Sequence, residues 1–180
     1  MNKFSLLFLY ITTIILANLT VTLFGPSITI INSFFFIGFD LTSRDRLHEF
    51  WKGKYLVIKM GLLIFTGSLI TYVFNSQSKN IAIASFLAFC ISNFIDFFIY
   101  KIYYKSHWYI KSNTSNIFGS LTDSIIFTMI AFGSFMPMII IGQTISKIVG
   151  GLMWTFLLKP NVSSFKTYSS KRVFNYKTDD

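Results

Sequence analysis

The sequence predicts an all-α integral membrane protein: a bundle of six transmembrane helices with both termini in the cytoplasm. Three observations carry that prediction. Hydrophobic residues make up 53% of the 180 residues and charged residues 13%, about half the roughly 25% charge of a soluble domain. The apolar residues gather into runs of the length that crosses a bilayer as helix, about 20 residues. The Lys and Arg residues between those runs fall almost entirely on one side. The net charge of +9 suggests either nucleic acid or an anionic membrane as partner. The long uncharged runs decide for the lipid bilayer and against nucleic acid.

The first span, positions 4–24, contains no charge. Lys3 ahead of it also resembles the start of a secretory signal, but the run is too long and lacks a small-x-small cleavage site. Gly25-Pro26 breaks the helix, and positions 27–42 form a shorter second span with Asp40 at its cytoplasmic end. The connection SRDRLHEFWKGK leads to span 55–74, NSQSKN to span 81–100, and KIYYKSHWYIK to span 113–133. Almost nothing separates that span from the last, 135–158. Positions 1–159 therefore form one six-helix transmembrane domain. The tail, 160–180, is polar and basic without a helical pattern, the composition of a disordered segment. With the N-terminus inside, the inner side holds Lys3, Arg44, Arg46, Lys52, Lys54, Lys101, Lys105, Lys111 and the five basic residues from Lys159 to Lys177. Lys79 stands alone outside. That asymmetry fixes the orientation by the positive-inside rule.

A carboxylate near the bilayer centre costs about 2.5–3.5 kcal/mol on insertion scales, so Asp123, inside SNTSNIFGSLTDSIIFTMIAFG, needs a reason. At about 100° per residue, Asn113, Asn116, Ser120, Asp123 and Ser124 share one sector of the fifth span. In the fourth span Ser85, Ser92 and Asp96 share a face, with Asn93 beside them. Asp40 shares a face with Ser33 and precedes Arg44 by four residues, a spacing at which the two side chains can meet. Lys147, midway along the last span, lies at the depth of Asp123 in its antiparallel neighbour and is its natural partner.

Each of these has a plainer reading. Asp40 can be a helix-end carboxylate satisfied by Arg44 or water, Asp96 can be packing, and an Asp123–Lys147 pair can be interhelical glue. For a mid-membrane acid, function is the default. Gly142, Ser146 and Gly150 form a small-residue row of the helix-packing kind.

Other signals are weak. His48 and His107 have no metal-spaced partner, and the aromatics around Trp108 form an interfacial belt. Cys90 is the only cysteine, so the chain has no internal disulfide or thiolate metal cluster, and no cofactor is implied. There is no HExxH, nucleophile elbow or phosphate-cradling glycine loop. The contexts NFID and SLTD lack the tyrosine and glycine of intramembrane aspartyl proteases. The reading is a non-enzyme.

The run ASFLAFCISNFIDFFIYKIYYKSHWYIKSNTSNIFGSLTDSIIFTMIAF resembles the hallmark region of the vitamin uptake transporter family, whose characterised bacterial members import queuosine precursors. Asp96, Trp108, Ser115, Phe118, Gly119, Asp123, Ala131 and Phe132 match the family pattern. FDLTSR resembles its Asp-Leu-Thr-x-Arg, Lys147 matches a lysine of its last helix, and Asn18 an early asparagine. The resemblance covers most of positions 17–158. Asn93 departs from it: the family usually carries Gln, and Asn keeps the amide with one methylene less reach. The short loops and length resemble compact members, phage-encoded ones included.

The resemblance implies a small-molecule substrate, a deazaguanine base such as preQ0 or preQ1, carried across the cytoplasmic membrane of a bacterium or a phage-infected host. A carboxylate can accept the paired N–H groups of a guanine-like edge while an amide both donates and accepts beside it. Asp123 and Asp96 are then the expected ligands or proton carriers, with Asn93, Asn113, Asn116, Lys147, Asp40 and Arg44 beside them. Self-association into a homo-oligomer stays open. So do two other classes. One is the substrate-binding subunit of an energy-coupling vitamin importer, whose Ala-x-x-x-Ala docking face is reduced here to Ala17. The other is a non-transporting membrane assembly or interaction protein.

Overall fold

The computed structural model describes residues 3–51, 55–103 and 108–158. The described segments are helical apart from short turns. Helix α1 (Lys3–Phe24) is followed by a rod in three parts: α2 (Ile28–Asn32), a π-helical turn (Ser33–Ile37) and α3 (Gly38–Trp51). Then come α4 (Leu56–Phe74), α5 (Lys79–Ile102), α6 (Trp108–Phe132) and α7 (Pro137–Leu157). At 1.5 Å per residue, a helix of α1's length is about 33 Å long, enough for the hydrocarbon core. Residues 3–24, 76–99, 114–132 and 137–157 are long and apolar enough to cross a membrane, and Ile58–Phe74 is a shorter apolar stretch. The all-α membrane architecture predicted from sequence is observed. The tail beyond Leu158 lies outside the described residues.

Two predicted boundaries are corrected. The rod does not end near Asp40, because helix continues through SRDRLHEFW to Trp51. Its inner stretch buries Leu47 completely and packs Trp51 against the core of Leu6, Tyr10, Ile14, Phe39, Met60 and Ile64. Tertiary packing thus recruits a charged segment that reads as a connection. Helix α6 likewise begins at Trp108 rather than at 113.

The turns are where the sequence placed them. Gly25 takes φ +74° and Gly133 φ +65°, the left-handed conformation that ends a helix at low cost only with glycine. The N–H of Gly25 closes on Val21 O at 2.9 Å and that of Gly133 on Met129 O at 3.0 Å. Pro137 then opens α7, where its missing N–H costs nothing.

The distribution of polarity is inverted relative to a water-soluble protein. Phe4, Phe8, Val73, Phe94 and Met138 face outward, while Asn18, Asn32, Gln143 and Lys147 are buried. Threonines on lipid-facing surfaces return their hydroxyls to their own helix, as Thr12 does to Phe8 O at 2.9 Å and Thr66 to Leu62 O at 2.7 Å. In hydrocarbon a hydroxyl has no water to turn to.

The small-residue row of α7 brings the rod close. A Cβ on Gly150 would lie 2.2 Å from Phe34 O, one on Gly38 2.6 Å from the Gly150 carbonyl carbon, and one on Gly142 2.7 Å from Ile30 Cδ1. The π turn lies against this seam, where Trp154 Nε1 donates to Phe35 O at 2.9 Å.

This contact yields a test. Gly150→Ala must push backbone away from backbone, and we expect a loss of about 1–3 kcal/mol or more. Gly61→Ala, where an added Cβ meets nothing within 4 Å, should be neutral. Thermal unfolding of the two purified variants checks this; an unchanged midpoint for Gly150→Ala would contradict the close packing.

Candidate functional site

Helices α1, α4, α5, α6 and α7 and the α2–α3 rod line a cavity of about 300 Å³, at the small end of the roughly 300–1,000 Å³ of ligand sites. Most of the polar residues singled out from sequence lie on it. Asp40, Arg44, Asp96, Asn116, Asp123 and Lys147 all line it. Asn93 stands beside it, tied to Arg44. Asn113 is on α6, but its side chain lies outside the described residues, as do those of His48, His107 and Trp108.

Lys147 and Asp123 meet as their matched depths predict. Lys147 Nζ donates to Asp123 Oδ2 at 2.6 Å and to Ser124 Oγ at 2.8 Å. The lysine side chain is 4% exposed and the aspartate 26%, so the ammonium is sealed while the carboxylate still reaches the cavity. Ser124 completes a chain on α6: its hydroxyl donates to Ser120 O at 2.9 Å, and Thr128 donates to Ser124 O at 2.7 Å.

Asp40 and Arg44 find partners on other helices. The Thr13 hydroxyl of α1 donates to Asp40 Oδ1. Arg44 Nη1 reaches across to α5 and donates to Asn93 Oδ1 at 3.3 Å, while Asn93 Nδ2 donates back to Phe89 O at 2.7 Å. The four-residue spacing puts both groups on the cavity side, and the neighbouring helices take up their bonding capacity.

Asp96 stands apart. It packs beside Gly119, where a Cβ would lie 3.4 Å from its own Cβ. Gly119 is one turn from Asp123 on α6, and Asp96 and Asp123 both line the cavity. Asp96 Oδ1 is buried without a hydrogen-bond partner. An unsatisfied buried acceptor costs about 1–3 kcal/mol, more for a charged group.

A layer of neutral polar side chains, largely missed in the sequence reading, lies toward the end of the bundle where Gly25 and Gly133 turn the chain. Gln143 Nε2 donates to Thr29 Oγ1 at 2.8 Å and lies 3.5 Å from Thr128 Oγ1. Asn32 Nδ2 donates to Thr20 Oγ1 at 2.8 Å and Ala17 O at 3.1 Å. Ser85 Oγ donates to Asn18 Oδ1 at 2.5 Å. Asn18 is 3% exposed, and its Nδ2 has no partner. Two signals were available for these residues. Gln143 precedes Lys147 by one helical turn, and Thr29 and Ser33 share the face of Asp40. No group of three or more metal-ligating side chains occurs among the described residues.

Residues 4–159 match the family described as "Putative vitamin uptake transporter". The chain belongs to the vitamin uptake transporter family. It is thus a multi-pass membrane protein of a transporter family, and the match runs from α1 to the end of α7. No curated protein and no solved structure matches the chain.

The geometry ranks the two membrane aspartates. Because Asp123 neutralises a sealed lysine, Asp123→Asn leaves a buried ammonium uncompensated and should cost about 3–5 kcal/mol. Adding Lys147→Met should recover most of that loss. Membrane abundance and thermal stability of the single and double variants measure this. Equal instability of Asp123→Asn with and without the second change would exclude the pair as the source.

Proposed function

We propose that this chain imports a queuosine precursor, a 7-deazaguanine-type base, across the cytoplasmic membrane, with the cavity as its binding site. The observation that carries the reading is a carboxylate oxygen, Asp96 Oδ1, buried on a membrane cavity without a partner. A guanine-like edge offers adjacent N–H donors, and a carboxylate is the side chain that accepts two of them at once. Membership of a family described by vitamin uptake and the resemblance of the fourth and fifth spans to importers of these bases support the substrate class.

In this reading Asp96 accepts from the donor edge of the base. Asp123, braced by Lys147, offers its remaining acceptor capacity. Asn116 supplies an amide donor, and Phe89 and Phe127 on the cavity wall offer faces against which a planar ring can stack. Arg44 and Asn93 link α3 to α5 on the cytoplasmic side, and Asp40 holds α1 to the rod through Thr13. A bicyclic base is planar and compact, which suits a cavity of this size.

Bacteria that neither synthesise nor import queuosine precursors test the assignment. Expressing this chain should restore queuosine in their tRNA at low external precursor, and Asp96→Asn should reduce uptake by about ten- to a hundredfold, the loss of one charged hydrogen-bond partner. Correctly inserted protein that rescues with neither the cyano nor the aminomethyl base would refute the substrate class.

A further inference from the structure

We propose that Lys3, Trp51 and Lys59 form a binding site for the headgroup of an anionic phospholipid at the edge of the membrane. None of the three lines the cavity, so this site is separate from the one described above.

The ends of three helices meet here: α1 starts at Lys3, α3 ends at Trp51 and α4 starts at Leu56. Trp51 is partly buried and packs against the hydrophobic core, which holds the ring in place. Lys3 Nζ lies 5.9 Å and Lys59 Nζ 5.5 Å from the centroid of that ring, both within the roughly 6 Å reach of a cation–π contact. One indole thus gathers two ammoniums, which repel each other unless an anion joins them. The ring attracts each cation but supplies no counter-charge. Among the described residues neither lysine has a carboxylate partner, and the ion pair found there joins Lys147 to Asp123. The surrounding sequence adds to the excess. From Asp45 to Lys59, Asp45 and Glu49 stand against Arg46, Lys52, Lys54 and Lys59, and Lys3 joins these cations from α1.

The neighbouring surface decides the kind of anion. Phe4 and Phe8 on α1 and Ile58 and Leu62 on α4 are exposed, and in a bilayer-spanning bundle such faces lie against acyl chains. Lys3 directly precedes Phe4 and Lys59 directly follows Ile58, so both charges stand where the lipid-facing surface begins. At that level the abundant anions are phospholipid headgroups, and clustered basic side chains at a helix end attract them. The flexible four-carbon stem of lysine lets both ammoniums converge on one phosphodiester. The acyl chains then continue along α1 and α4, which pack together where Gly67 meets Ile14. A zwitterionic headgroup offers the same phosphate but brings its own cation into the cluster, which cancels much of the attraction.

The test titrates phosphatidylglycerol, phosphatidylcholine or inorganic phosphate into the purified full chain in uncharged detergent. Native mass spectrometry measures bound lipid, and the unfolding temperature is the second readout. Wild type should retain phosphatidylglycerol in preference to phosphatidylcholine and be stabilised by it, whereas inorganic phosphate at equal concentration should not stabilise it. At about fivefold in affinity per lysine, Lys3→Gln combined with Lys59→Gln should weaken phosphatidylglycerol binding about twenty-five-fold. Lys79→Gln combined with Lys177→Gln removes the same charge elsewhere and should leave the binding unchanged. Equal retention of the two lipids by wild type overturns the proposal, even where a variant fails to fold. So does a Lys3/Lys59 variant that loses no more affinity than the Lys79/Lys177 control, because the preference then belongs to the net charge of +9. Stabilisation by inorganic phosphate equal to that by phosphatidylglycerol assigns the cluster to a free anion and overturns the lipid.

Discussion

Burying a lysine ammonium in a bilayer-spanning helix is the constraint from which most of this structure follows. Lys147 is 3% exposed, and an uncompensated charge at that depth is costly. Two α6 groups, Asp123 Oδ2 and Ser124 Oγ, supply its counterion and a further acceptor. The hairpin of α6 and α7 is thereby fixed in register, since a shift of one residue would turn one partner by about 100°. Once α7 is fixed, its glycine row dictates how close the rod can come. Gly150 admits the backbone of Phe34 and Gly142 admits Ile30, so the π turn and the residues on either side of it are held against α7. The cavity is bounded by what that approach leaves open.

The polar groups within the bundle fall into two sets. One is consumed in joining helices: Gln143 to Thr29, Asn32 to Thr20, Thr13 to Asp40, Arg44 to Asn93. These bonds are worth making in hydrocarbon because the alternative is an unsatisfied group. The other set is left without partners: Asp96 Oδ1 and Asn18 Nδ2 on the cavity, and the hydroxyls of Ser43 and Ser68 away from it. Asp96 is the one carboxylate in that set, the kind of group that costs most to leave unmatched, and it lies on the cavity. That difference is the physical basis for reading the cavity as a binding site and for ranking Asp96 above Asp123 as the ligand.

Much of this was legible in the sequence, because membrane insertion imposes strong patterns. Span positions follow from apolar length, the Gly25 and Gly133 turns from glycine's access to positive φ, and the Lys147–Asp123 meeting from equal depth in neighbouring antiparallel helices. The small-residue row of α7 reads directly as a packing face. Less legible was anything decided by tertiary contact. The helix over SRDRLHEFW forms because Leu47 and Trp51 have a core to join, which local pattern does not reveal. The π turn has no sequence signal in SFFFI. Asp40 and Arg44, spaced to meet each other, bond to other helices instead. Asn18, Asn32 and Gln143 are single amides in apolar runs, and which of them stays unpartnered depends on neighbours contributed by distant segments.

The central claim is that the membrane cavity is a base-binding site, and ligand-induced stabilisation of the purified protein tests it most directly. A ligand at a hundred times its dissociation constant stabilises the folded state by about 2.7 kcal/mol. The account predicts that a saturating deazaguanine precursor raises the unfolding temperature of wild type, that uracil does not, and that Asp96→Asn weakens the response. An unfolding temperature indifferent to every deazaguanine tested, in protein that is folded and monodisperse, would contradict it.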